Sequence, residues 1–208
     1  MLIHPSPYER ITALTDVFLG ALAAWAAAHL FINMGFRYQV WGWAFSLLAA
    51  SSLIGAVAHG FVMTQKTNTR IWMPLNLLLG LALGLFVVGA CVDLSGEGAA
   101  RMLLPFMLVV GVGFFLFTLW KPGTFMTFIA YEALAMLFAL GVYAYLFFTA
   151  ALAGAGWMLA GVLVTISAAV VQATGKAGKS IFWYFDNNGV FHLIQMVGMV
   201  LLFMGLKP

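Results

Sequence analysis

Seven stretches of this chain are each long and apolar enough to cross a lipid bilayer, and this constrains its folding more than any other feature. A helix spanning the hydrocarbon core needs about 20 mostly apolar residues. The qualifying stretches are Ile11–Met34, Trp41–Thr64, Ile71–Val92, Met102–Trp120, Thr124–Phe148, Ala155–Ala173 and Gly189–Leu206. Each is bounded by charge, Pro, Gly or Asn, the residues that start and stop helices. The runs are continuous and do not alternate at period two, which excludes a transmembrane barrel. The connections are short and leave no room for a second domain. The expected fold is therefore all-α: a polytopic membrane protein of seven transmembrane helices, one bundle and one domain over residues 1–208.

Composition closes the other routes. Of 208 residues, 64% are hydrophobic and 7% charged, with a mean hydropathy of +1.07. A soluble domain carries roughly 25% charged residues, so a water-facing globule, a nucleic-acid binder and a disordered chain are all excluded. The single cysteine, Cys91, excludes an internal disulfide framework and a cysteine-rich metal cage. The first apolar run is too long for the core of a signal peptide. It also contains Asp16 and His29 and lacks a small-residue cleavage site, so it is expected to stay in the mature chain.

Charge placement predicts orientation. Arg10, Lys66, Arg70, Lys121, Lys176 and Lys179 fall on the N-terminal side, and only Arg37, Arg101 and Lys207 on the other, with Asp93 and Glu97. The positive-inside rule then puts the N-terminus in the cytoplasm and the C-terminus outside. Short loops without extramembrane domains suit a bacterial inner membrane. The longest connection, Thr174–Asn188, holds two lysines and the aromatic cluster Ile181–Phe185, a composition suited to the membrane interface as an anchor or as a gate.

Ionisable groups inside the bilayer are costly, so each is a functional candidate. At 1.5 Å per residue, Asp16 is expected roughly 8 Å into helix 1 and His59 roughly 8 Å from the end of helix 2. Asn76 falls at a similar depth in helix 3, Asn188 and His192 flank the start of helix 7, and Glu132 lies deeper in helix 5. Two histidines, two asparagines and an aspartate are thus expected in one layer. Asn188 and His192, four residues apart, share a helix face, with Gln195 nearby. Imidazole and carboxylate suit zinc, which activates a bound water. The same groups equally suit plain interhelical hydrogen bonds, each worth about 0.6 kcal/mol.

These placements resemble the seven-helix superfamily of alkaline ceramidases and progestin/adiponectin receptors. In that family a histidine late in helix 2, an aspartate at helix 3 and an HxxxH pair early in helix 7 hold zinc, which hydrolyses lipid amides. The helix-2 histidine matches His59, in Ser51-Ser52-Leu53-Ile54-Gly55-Ala56-Val57-Ala58-His59, and the second histidine of HxxxH matches His192. The first histidine of the pair is Asn188 here, the helix-3 aspartate falls on or near Asn76, and Gly55 replaces the serine one turn before His59. Amides are poorer zinc ligands than histidine or carboxylate.

What the resemblance implies is a membrane-embedded, metal-dependent hydrolase of a lipid amide or ester. His59, His192, Asp186, Asn188 and Asn76 would form the zinc shell, Asp16 or Asp186 would orient water, and Ser52 would polarise the carbonyl. The alternatives are a non-catalytic lipid-binding receptor or pseudoenzyme of the same fold, or a proton-coupled transporter using Asp16 and Glu132. In all of these the partners are membrane lipids and a lipid substrate or ligand. Glu132 reads as a proton relay or as a neutral, hydrogen-bonded carboxyl. A retinal protein is excluded, because the only lysine near helix 7, Lys207, lies at its end. Haem ligation by His59 and His192 stays open. Gly80 with Gly84, and Gly111 with Gly113, read as close helix contacts. Pro74 and Pro105 are expected in first turns, where proline is tolerated.

Overall fold

A helix satisfies every backbone donor and acceptor within one apolar segment, and the chain adopts it almost throughout. A computed structural model describes residues 2–121 and 126–207. Among these residues there are six helices: α1 (Pro7–Phe31), α2 (Phe36–Gly60), α3 (Gln65–Trp120), α4 (Met126–Phe148), α5 (Ala155–Thr174) and α6 (Asn187–Leu206). Each is long and apolar enough to cross a membrane. The expected fifth span begins at Thr124, which lies outside the described residues.

The expected third and fourth spans are the two limbs of α3. An unbroken helix of its 56 residues would run about 84 Å, far beyond a bilayer. It turns back at Gly96, where φ is 82° and ψ 174°. A side chain is strained at such a φ, and glycine is not. That the limbs fold onto each other follows from their contacts. A Cβ on Gly80 would sit 2.8 Å from the Gly111 carbonyl oxygen, and one on Gly84 would sit 2.8 Å from that of Met107. Gly113 takes no part, with nothing within 4 Å of its Cβ position. The prolines also differ from expectation. Because α3 starts at Gln65, Pro74 lies inside the helix and not in its first turn, and Pro105 is likewise internal.

Contacts set the direction of each element. Gly20 meets Ala49 and Leu53, and Gly42 meets Phe31, so α1 and α2 are antiparallel. Thr15 meets His192 and Trp25 meets Phe203, so α1 and α6 run parallel. Gly154 meets Gly205 and Gly161 meets Leu202, which makes α5 and α6 antiparallel. Tyr131 donates to the Gly80 carbonyl and Tyr143 reaches Asp93, so α4 runs with the first limb of α3. Small residues carry these interfaces: Ala23, Ala90, Ala100, Ala139 and Ala168 are fully buried. Without a hydrophobic drive between helices in lipid, close backbone approach through small residues is the main route to tight packing.

Each end of the bundle has its own fastening. At the near end, residues 2–4 pair in extended form with 60–62: His4 N–H donates to the Gly60 carbonyl and Val62 N–H to that of Leu2, both at 2.9 Å. Asp186 caps α6 by accepting from the backbone N–H of Asn188 and Gly189. The preceding segment folds into a tight aromatic turn with Phe182 stacked on Phe185, and Ile181 through Tyr184 remain largely exposed. At the far end, the Asp93 carboxylate, 1% exposed, accepts from the Arg37 guanidinium and, at 2.9 Å, from the Tyr143 hydroxyl. This joins α2, α3 and α4, whereas the sequence placed Arg37 and Asp93 in outer loops.

A hydrogen bond to a charged group contributes about 1.5–3 kcal/mol. Tyr143→Phe is therefore expected to lower stability by about that amount, read as a reduced thermal midpoint in detergent. An unchanged midpoint would show that the Arg37–Asp93 pair holds this end unaided.

Candidate functional site

One cavity of about 310 Å³ runs along the bundle interior. Its wall on α2 is the stripe Trp41, Phe45, Leu48, Ser52, Gly55 and His59, spaced at helical periodicity. From Trp41 to His59 this stripe extends about 27 Å at 1.5 Å per residue. On α6 the matching stripe is Asn188, His192, Gln195, Met199 and Leu202. The space is thus long and narrow. Its near half presents His59, Asp16, His192, Asn188 and Gln172, and its far half Trp41, Phe45, Phe86 and Leu202. Glu132 enters from α4 and Thr165 from α5.

Asp16 and His192 form the centre of the near half. Helix α1 begins at Pro7, four residues earlier than expected, so Asp16 lies about 14 Å into the helix instead of 8 Å. Its carboxylate rests against Gly55: a Cβ there would come within 3.0 Å of Oδ2. This accounts for a glycine at a position where the resembling family carries serine. His192 Nε2 is 3.4 Å from Asp16 Oδ1, and Nδ1 is 2.9 Å from the Thr15 hydroxyl oxygen. The Thr15 hydroxyl donates its single proton to the Thr12 carbonyl at 2.8 Å. Nδ1 of His192 must therefore be the donor to Thr15. A neutral imidazole then offers Nε2 as an acceptor, facing a carboxylate oxygen that is also an acceptor. The two are compatible only if one proton lies on the pair, on Asp16 or on His192. In either form the pair carries no net charge.

The other predicted residues divide. His59 is the penultimate residue of α2, not 8 Å inside it, because the chain turns extended at Phe61 to pair with the N-terminal segment. It lines the cavity, but its Nδ1 is 2.7 Å from Glu9 Oε2 and its ring meets Trp72 edge-on. Asn188 also lines the cavity, and its oxygen accepts from Gln172 Nε2 at 2.7 Å, joining α5 to α6. Ser52 lines it beside Ser51, whose hydroxyl donates to the Leu48 carbonyl. Asn76, half-buried, is not part of the wall. Nor is Asp186, whose oxygens accept from the backbone N–H of Gly178, Asn188 and Gly189 as the cap of α6. Among the described residues, no three His, Cys, Asp or Glu side chains converge in a way that holds a metal ion. The candidate ligands are engaged instead in separate hydrogen-bonded groups: His59 with Glu9, His192 with Thr15 and Asp16, and Asn188 with Gln172.

Sequence reasoning missed Glu9, Thr15, Thr165, Gln172 and Trp72. Glu9 was legible as an acidic residue one turn into a helix, and Gln172 as an amide inside the sixth span. The pairing of either with its partner was not.

The cavity also holds polar atoms that nothing in the protein satisfies. Asp16 Oδ2, Glu132 Oε2, Gln195 Oε1, Thr165 Oγ1 and Trp41 Nε1 are buried without a hydrogen-bond partner, and all five residues line the wall. Each such atom costs about 1–3 kcal/mol if left bare.

Gly55→Val would press a branched side chain onto the Asp16 carboxylate. Overpacking of this kind costs about 1–3 kcal/mol. The loss should shrink in the Asp16→Ala background, since contacting residues are not additive. Equal losses in both backgrounds, read by thermal unfolding, would show that Gly55 does not seat the carboxylate.

No curated protein and no solved structure matches the chain. A family model does, over residues 11–208. The bundle from the second turn of α1 onward, with every residue of the cavity wall, falls within that span, and the chain belongs to the family of unknown function DUF6962.

Proposed function

We propose that this is an integral membrane protein of seven spans that binds an amphipathic, lipid-derived molecule inside its helix bundle as a receptor or binding protein. The observation that carries this reading is the division of one long cavity into a polar near half and an apolar far half. A molecule with a polar head and an apolar chain is complementary to both halves at once. Pockets for such ligands are commonly apolar slots with a few convergent polar groups.

The membrane reading draws on the outer surface. Phe18, Val109, Met102, Leu134, Leu137 and Phe148 are exposed on helices long enough to cross a bilayer, and an apolar belt of this extent is untenable in water. With the α3 limbs crossing separately, the lysine and arginine bias favours a cytoplasmic N-terminus in a bacterial inner membrane. A fluorescent fusion at the N-terminus should light up inside, and a phosphatase fusion at the C-terminus should be active outside. The reverse pattern overturns the orientation.

The likeness in layout to ceramidase-type proteins favours a ligand within the bundle. The hydrolytic branch of that likeness draws no support from the donors present. The test is extraction of the whole chain into polymer-bounded bilayer discs, followed by mass spectrometry of the retained lipid. One amphiphile enriched over bulk lipid, and lost when Leu48→Trp fills the slot, is the expected result. No enrichment would overturn the reading. Near-stoichiometric zinc that disappears in the His59→Ala, His192→Ala double variant would replace it with the hydrolase.

A further inference from the structure

The cavity's charged side chains are unequal in sign, and the imbalance specifies the head of the ligand. Three acceptors line it without partners: Asp16 Oδ2, Glu132 Oε2 and Gln195 Oε1. The one orphaned pure donor, Trp41 Nε1, is pressed against the α3 backbone. A Cβ on Gly89 would lie 2.8 Å from it, so that N–H is not free to meet a guest. Thr165 can act in either sense, and a Cβ on Gly198 would approach its hydroxyl to 2.8 Å. Neutral donors are present on the wall, at Ser52, Asn188 and Gln195; what it lacks is a cation.

Charge points the same way. No lysine or arginine is among the described residues lining the cavity. The Asp16–His192 pair, with its one proton, is neutral. His59 has Glu9 as its own partner at 2.7 Å. Glu132, 5% exposed, is the carboxyl left without any counter-charge. A carboxylate inside the bilayer pairs with a cation or goes unionised.

We propose that the ligand's head is a primary ammonium, its charge matched to Glu132 and its N–H groups to oxygens of the cavity wall. This rests on the cavity being an amphiphile site and narrows the class of amphiphile. A quaternary ammonium has no N–H to offer the acceptors. A carboxylate or phosphate head would face the Glu132 carboxyl with no cationic side chain on the wall to hold it. A hydroxyl head answers the acceptors in part and leaves Glu132 uncompensated. The apolar chain extends along the α2 stripe towards Phe45 and Trp41.

The experiment uses the full chain in phosphatidylcholine discs and three probes of one chain length: terminally brominated undecylamine, undecanol and undecanoic acid. Bromine quenches tryptophan at contact, and Trp41 stands at the apolar end of the slot. The amine should give a saturable component of quenching that is missing in Trp41→Phe. The alcohol should bind at least about tenfold more weakly and the acid more weakly still. Glu132→Gln should weaken the amine at least about tenfold and leave the alcohol unchanged. If the alcohol or the acid matches the amine, the ammonium head is wrong while the amphiphile site stands. If no probe gives a component that depends on Trp41, both are wrong. The three-head comparison uses the unaltered protein, so its outcome does not depend on how well Glu132→Gln folds.

Discussion

A polar group enclosed by apolar matter must find a partner, and the rest of this structure depends on that requirement. It forces the backbone into helices, because only a helix pairs its own N–H and C=O groups within one segment. It also governs the helix ends. Asp186 caps α6, Thr64 caps α3 by accepting from Thr67 N–H, and the Gly60 carbonyl at the end of α2 accepts from His4 N–H of the N-terminal extension. At the far end Asp93, buried and charged, is held between Arg37 and Tyr143. Where the requirement is met the residue is architectural. Where it is not, at Glu132, Gln195 and the second oxygen of Asp16, the residue belongs to the cavity wall.

Helix contact in this bundle comes from the absence of side chains. Gly80 and Gly111 bring the two limbs of α3 to backbone distance, Gly154 and Gly205 do so for α5 and α6, and Gly55 clears the seat of a carboxylate. The last differs in consequence from the others. The glycines at helix crossings let backbones meet, which is a matter of stability. Gly55 lets an acidic side chain lie flat against α2 and face His192, which is a matter of chemistry. The cavity's long shape has a related origin. Ala44, Ser51, Ser52 and Gly55 on α2 and Ala82 on α3 are small members of its wall, while α6 contributes only larger side chains.

Much of the architecture was legible because hydrophobic run length is a one-dimensional property. All the expected spans correspond to observed helix or helix limb, and the shared depth of Asp16 and His192 followed from counting along helices. The departures also have a common physical origin. His59 lies at the end of α2 because the residues after it pair with residues 2–4, a contact nearly sixty positions away in the chain. Asn76 stands outside the cavity wall while Leu75 and Leu79 of the same helix line it, since helix rotation is fixed by packing partners and not by composition. Asp186 was read as a carboxylate that could complete a metal shell, yet capping and the Gly178 N–H engage its oxygens.

The sequence alone determined that this chain is helical, apolar throughout and sparing in charge, because burial in lipid requires long unbroken apolar runs. It determined which few polar residues had to be explained. Tertiary structure decided which of them are satisfied. Only the packing of α1 against α2 and α6 sets Asp16 between Gly55 and His192. Only the antiparallel return of α3 at Gly96 and the placement of α4 beside its first limb bring Glu132 to the same cavity. Hydrogen-bond satisfaction is a property of three-dimensional neighbours, and a linear pattern of polar residues does not contain it.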